Sequence, residues 1–143
     1  MSWKIMLDSN VFKNRAFLDW LRLRSEDFEV LISPIVYAET ALWYIYMGLG
    51  IDGLEKDLEK IGGKIVGISK REAELVAKMA YKHRKEVIFR HHARDYLIGV
   101  QAMITNSIVV TENKTHFSWI EKEGFRVLSP EGLVKEWLST KKE

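Results

Sequence analysis

Four short segments set a carboxylate or an amide at the end of an apolar run or the start of a helical one. They are Ile5-Met6-Leu7-Asp8-Ser9-Asn10, Pro34-Ile35-Val36-Tyr37-Ala38-Glu39, Arg94-Asp95-Tyr96-Leu97-Ile98-Gly99 and Ile108-Val109-Val110-Thr111-Glu112-Asn113. They are spread over more than 100 residues, so only a fold that gathers them gives them a common purpose. Clustered carboxylates repel one another and cost desolvation unless a cation lies between them. Asp and Glu oxygens are hard ligands that suit Mg²⁺ or Mn²⁺. An ion held by Asp8, Glu39 and Asp95 would acidify water for attack on a phosphodiester and neutralise charge on the leaving oxygen. The chemistry indicated is that of a metal-dependent nuclease. No covalent intermediate is needed, which agrees with the absence of Cys and of any Ser–His–Asp pattern.

The elements that must position these residues alternate between strand-like and helix-like patterns, the signature of an α/β/α sandwich around a parallel sheet of about five strands. Strands are predicted at Lys4–Asp8, Glu29–Ile32, Lys64–Ile68, Ser107–Val110 and Arg126–Leu128. Helices are predicted at Ala16–Arg24, from Pro34 to Gly48, at Asp52–Ile61, from Ser69 to about Lys85, at His92–Thr105, at Thr115–Glu123 and from Pro130 through Trp137. Pro34 suits a first helical position, Gly62 a helix stop, and Ser69 with Glu72 a capping box. No repeat, low-complexity segment or linker interrupts the pattern, so residues 1–143 read as one domain.

In open α/β sheets, sites lie beyond the carboxyl ends of the strands. Asp8 and Thr111–Asn113 follow strands directly, and Glu39 lies in the second turn of the helix after the second strand. Asp95 falls in the first turn of its helix, sharing a face with Ile98, Gly99 and Ala102. Each residue also has a bland reading. Asp95 suits a helix start for electrostatic reasons alone, and Asp8-Ser9-Asn10 suits a strand-ending turn. Glu39 is harder to dismiss, because Ile35, Val36, Ala38, Leu42 and Trp43 around it make an apolar segment in which an acid needs a partner.

In these motifs the chain resembles the PIN domain family, and within it the VapC-type toxin ribonucleases. Leu7-Asp8-Ser9-Asn10 matches the strand that closes on Asp-Ser/Thr-Asn, and Pro34 with Glu39 matches a Pro a few residues ahead of a helical Glu. Asp95, Ile98 and Gly99 match Asp-x-x-Ile-Gly/Ala. The fourth motif, usually Thr-x-Asn/Asp-x-x-Asp-Phe, reads Thr111-Glu112-Asn113-Lys114-Thr115-His116-Phe117 here, with an amide and an imidazole where acids are common. The resemblance covers nearly the whole chain. It implies an endoribonuclease using Mg²⁺ or Mn²⁺ at Asp8, Glu39 and Asp95, homodimers, and a small antitoxin that wraps the toxin. Ser9 and Thr111 would be hydroxyls that orient the carboxylates. Asn113 would donate to the phosphate, bind the metal or hold a water. Asn10 would do similar work or only shape the turn. Asn113, His116 and Glu112 are the candidates for a fourth ligand. Two other functions fit the same motifs: an RNA-processing nuclease, and a module that binds RNA or protein without cutting.

Next to Asp95 runs the densest basic stretch, Arg84 to Arg94. Arg90, His91 and Arg94 could track an RNA backbone, with Phe89 or a His stacking on a base; a solvated helix junction is the alternative. Adjacent His91 and His92 point in different directions on a helix and do not suit one metal ion. His83 reads as a surface residue. The apolar run Trp43–Leu49 fits core packing or an interface.

A net charge of +2 does not by itself argue for nucleic acid. Zero Cys fits a reducing cytoplasm, and one Gln and four Asn against 29% charged residues lean toward a thermophile. No apolar run has membrane-spanning length, and Met1-Ser2-Trp3-Lys4 lacks a signal-peptide core.

Overall fold

The computed structural model describes residues 2–141. Five strands form one parallel sheet: β1 (Trp3–Leu7), β2 (Phe28–Ile32), β3 (Gly63–Ile65), β4 (Ile108–Val110) and β5 (Val127–Leu128), in the order β3-β2-β1-β4-β5. Seven α-helices accompany them among the described residues: α1 (Arg15–Arg22), α2 (Pro34–Tyr46), α3 (Gly50–Ile61), α4 (Lys70–Lys82), α5 (Phe89–Thr105), α6 (Ser118–Lys122) and α7 (Pro130–Lys141). The result is the three-layer α/β/α sandwich expected from the alternating pattern.

The central strand explains the order. Ile5, Met6 and Leu7 are fully buried, as a strand covered on both faces requires. Ile5 registers with Val30 on one side and Ile108 on the other. The chain runs outward from β1 to β2 and β3, then returns to β1's other edge with β4. The direction of winding therefore reverses between β1 and β4, the place where α/β sheets open a crevice.

Several boundaries differ from the sequence reading, each for a local reason. A 3-10 turn, Ser9–Lys13, follows β1, and the Asn14 side chain then accepts from Phe17 N at 3.1 Å to start α1. Strand β3 stops at Ile65 instead of Ile68. Ser69 Oγ donates to the Glu72 carboxylate at 2.8 Å, so the expected capping box closes between side chains and not onto the helix backbone. The helix expected at Thr115–Glu123 is a 3-10 turn, Lys114–Phe117, followed by the short α6. Helix α5 starts three residues early but kinks at His92 (φ −132°, ψ 22°), so Asp95 occupies the first turn after a restart.

The Ile-Gly pair of α5 has a packing reason. A Cβ on Gly99 would lie 2.8 Å from Trp119 Cη2 and 2.9 Å from Ile120 Cγ2. Glycine lets α5 approach the buried Trp119, whose ring also tilts against His83 and Tyr96. His83 is not the surface residue expected: it is 7% exposed, and its Nε2 lies 2.8 Å from Glu123. Among the described residues, no helix is long and apolar enough to cross a membrane.

Candidate active site

At the β1/β4 crevice the two strand ends are tied together. Asp8 N donates to Val110 O at 3.0 Å, and Thr111 Oγ1 donates to Asp8 Oδ2 at 2.8 Å. Asp8 is 2% exposed and caps the 3-10 turn, its Oδ1 accepting from Ser9 N at 2.8 Å. Thr111, fully buried, in turn accepts from Asn113 N at 3.0 Å and Asn10 Nδ2 at 3.3 Å. Asn10 also accepts from Glu112 N at 3.2 Å, so its amide staples one strand-end loop to the other. Of the two uses open for Asn10, this geometry displays the turn-shaping one.

Glu39 reaches the crevice from α2, and Asp95 from the restarted turn of α5. The three acids do not face an open centre: Arg94 fills it. Its Nη2 donates to Asp8 Oδ1 at 2.6 Å and to Glu39 Oε1 at 2.7 Å, its Nε to Glu39 Oε2 at 2.8 Å, and its Nη1 to Asp95 Oδ1 at 2.7 Å. Ser9 Oγ lies at 3.4 Å from the same Nη2. Burial alone would lower the guanidinium's pKa, but its hydrogen bonds to Glu39 and Asp8, with their charges, raise it above its ordinary value. The planar fork of donors suits this task, because each nitrogen meets a carboxylate in its own direction.

The basic stretch thus divides. Arg94, expected to track a phosphate backbone, has its donors turned onto carboxylates. Arg90 is exposed and has no ion pair among the described residues. His91 and His92 both border the cleft, His91 exposed and His92 partly buried with its Nδ1 3.1 Å from Asp95 Oδ2. His116 Nδ1 is 3.7 Å from the same oxygen, its ring edge-on to His92. Asn113 borders the cleft too, exposed. The cleft measures about 350 Å³.

Sequence reasoning missed the pairing of His92 with Asp95, although the i, i+3 spacing was readable. It also missed Arg94's position, for which adjacency to Asp95 gave no cue.

Whether this set could take a divalent ion is a question of donors and charge. Three acids meet one guanidinium, so the centre keeps a surplus of negative charge, and every converging atom is a hard oxygen. The donors fit Mg²⁺ or Mn²⁺. With Arg94 between them, however, no group of three or more Asp, Glu, His or Cys side chains is arranged around an ion position among the described residues. The acids expected to share a metal ion share an arginine in this arrangement.

The sequence matches no family model and no curated protein. Solved structures do match. A chain of FitAcB from Neisseria gonorrhoeae is 25% identical, with a TM-score of 0.62 over 88% of this chain and 97% of that one. A chain of VapBC-1 from nontypeable Haemophilus influenzae is 18% identical, with a TM-score of 0.63 over 90% and 98%. One from VapBC2 of Rickettsia felis, bound to a DNA fragment from their promoter, is 16% identical, with a TM-score of 0.64 over 88% and 98%. With the strand order β3-β2-β1-β4-β5 and the four motifs drawn to one sheet edge, these likenesses show that the chain has the PIN-domain, VapC-type fold.

Proposed function

We propose that the chain is a divalent-metal-dependent endoribonuclease and the toxin of a toxin–antitoxin pair. The observation that carries the nuclease reading is the convergence of Asp8, Glu39 and Asp95, from three separate segments, on one cation position at the β1/β4 crevice. When bound there, Mg²⁺ or Mn²⁺ would supply an acidified water and charge neutralisation at the phosphate. The chain's own residues do the rest. Thr111 and Ser9 N hold the Asp8 carboxylate in one orientation, and His92 holds Asp95. Asn113 and His116, which border the cleft, would donate to a phosphate. Arg94 keeps the acids together without metal and must turn away for them to hold an ion. The toxin reading is supported by the likeness to chains of FitAB and VapBC complexes, and it carries an antitoxin partner and a homodimer with it.

Incubation of a mixed RNA pool with Mg²⁺, Mn²⁺ or EDTA tests the proposal. Cleavage is expected with metal, abolished by EDTA and by Asp95→Asn. Arg94's hold on the acids favours a second reading, a module that binds without cutting. That reading wins if neither ion gives cleavage nor raises the melting temperature.

A further inference from the structure

Beside the acids lies a second cleft of about 230 Å³, bordered by Ser9, Asn10, Lys13, Glu39, Thr40 and Trp43. Ser9, Asn10 and Glu39 border both clefts, so the two lie side by side. Glu39 and Trp43 are four residues apart on α2 and therefore share a helix face, the indole one turn beyond the acid. Trp43 is half-buried, which leaves part of its ring available. Lys13 is exposed at the end of the 3-10 turn, its Nζ 5.7 Å from the centre of that ring and without an ion pair among the described residues.

Thr40, next to Glu39 on α2, also borders the cleft, but it is 2% exposed with its hydroxyl enclosed, so the groups open to an occupant are the indole and the ammonium.

An indole and an exposed ammonium, one step from carboxylates, suit one nucleotide of a single strand. An aromatic face stacks on any base, and a lysine donates to a phosphate. We propose that this cleft is the subsite for an unpaired nucleotide flanking the scissile phosphate, with its base on Trp43 and an adjoining phosphate on Lys13. The assignment deepens the ribonuclease reading and rests on it. Lys13 now covers part of the indole, so the base takes over that face as the ammonium moves to the phosphate. The specificity it confers is for unpaired RNA, because a base held in a duplex cannot reach the ring.

Binding and cleavage are measured separately so that the two readings part. A fluorescein-labelled, single-stranded RNA pool of random sequence is titrated with wild-type protein, Trp43→Ala, Trp43→Phe and Lys13→Gln, each checked by thermal melting. Trp43→Ala is expected to weaken binding about ten-fold, with Trp43→Phe retaining most of the affinity. Lys13→Gln should lower the salt slope by about 0.7. In cleavage, Trp43→Ala should raise KM more than it lowers kcat and flatten nucleotide preference beside the cut. Affinity for RNA unchanged in a folded Trp43→Ala protein, or absent from the wild type, overturns the subsite. Wild-type binding that Trp43→Ala weakens, without cleavage under either metal, sustains the subsite and overturns the nuclease.

Discussion

Asp8 carries two roles that a substitution cannot separate cleanly. Its carboxylate takes hydrogen bonds from Ser9 N, Thr111 and Arg94, and it caps the turn leaving β1. Asp8→Asn removes a like charge, which relieves repulsion, but it turns an amide hydrogen toward donors, so cleavage and stability should fall together. Arg94 gives a cleaner test. Arg94→Gln leaves Asp8, Glu39 and Asp95 uncompensated, two of them almost wholly buried. We expect the metal-free protein to lose about 3 kcal/mol, the low end for an unpaired buried charge, since the arginine itself is partly exposed. Mn²⁺ should restore that loss and raise the melting temperature of Arg94→Gln more than that of the wild type. A metal-induced shift no larger than in wild type would mean that arginine and metal do not compete for one position. Arg94's place among the acids was not legible in the sequence. Asp8, Glu39 and Asp95 were, because an acid ending an apolar strand or lying in an apolar helix demands a partner. That the partner is Arg94 follows from how α5 restarts after its kink at His92, and no local pattern signals that kink.

At the scale of elements, α5 is held to α6 by a close approach that only glycine allows. Gly99→Ala would force its new methyl into the rings of Trp119 and against Ile120, both nearly inaccessible, so neither neighbour can yield freely. Overpacking of this kind costs about 1–3 kcal/mol, readable as a lower denaturant midpoint with an unchanged slope. Because Asp95 lies one helical turn before Gly99, the same substitution should also weaken metal binding. A second tie joins α4 to the end of α6. Lys82 donates to Glu123 at 3.0 Å and His83 approaches it at 2.8 Å. The hydrogen bond from Lys82, and then that from His83, hold the Glu123 carboxyl below its ordinary 4.5 although burial opposes them. A depressed carboxyl pKa contributes stability that is present above 4.5 and lost as pH falls through the folded value. Glu123→Gln should therefore unfold more easily at neutral pH and show a shallower loss of stability on acidification below 4.5. The order of strands and helices was readable because β1, β2 and β4 are apolar runs punctuated by Ser, Pro and Asn. His83 was misread because its neighbours Tyr81, Lys82, Arg84 and Lys85 are solvent-facing types. Its partner, Glu123, lies 40 residues away.

Over the whole molecule, the small net charge of +2 hides a sharp division. The crevice is acidic even with Arg94 in it, while Lys13 is exposed on the neighbouring cleft and Arg90 is exposed four residues before Arg94. A polyanion approaching without metal meets repulsion at the centre and attraction only at the edge. Binding to single-stranded RNA should then be weaker in EDTA than in Mn²⁺, and the exposed cations Lys13 and Arg90 should carry its salt dependence. Each phosphate contact contributes about 0.7 to the slope of log affinity against log salt on single strands. Arg90→Ala should reduce that slope by about 0.7, because nothing among the described residues engages its guanidinium. Arg94→Ala, measured in EDTA, should leave the slope unchanged while lowering affinity, since its charge already faces three carboxylates and its removal makes the crevice more negative. The decisive comparison is between these two neighbours on one helix. A slope lowered equally by both would place Arg94 on the RNA backbone and leave the acids free for metal. A slope lowered by neither would return the whole basic stretch to the solvated surface.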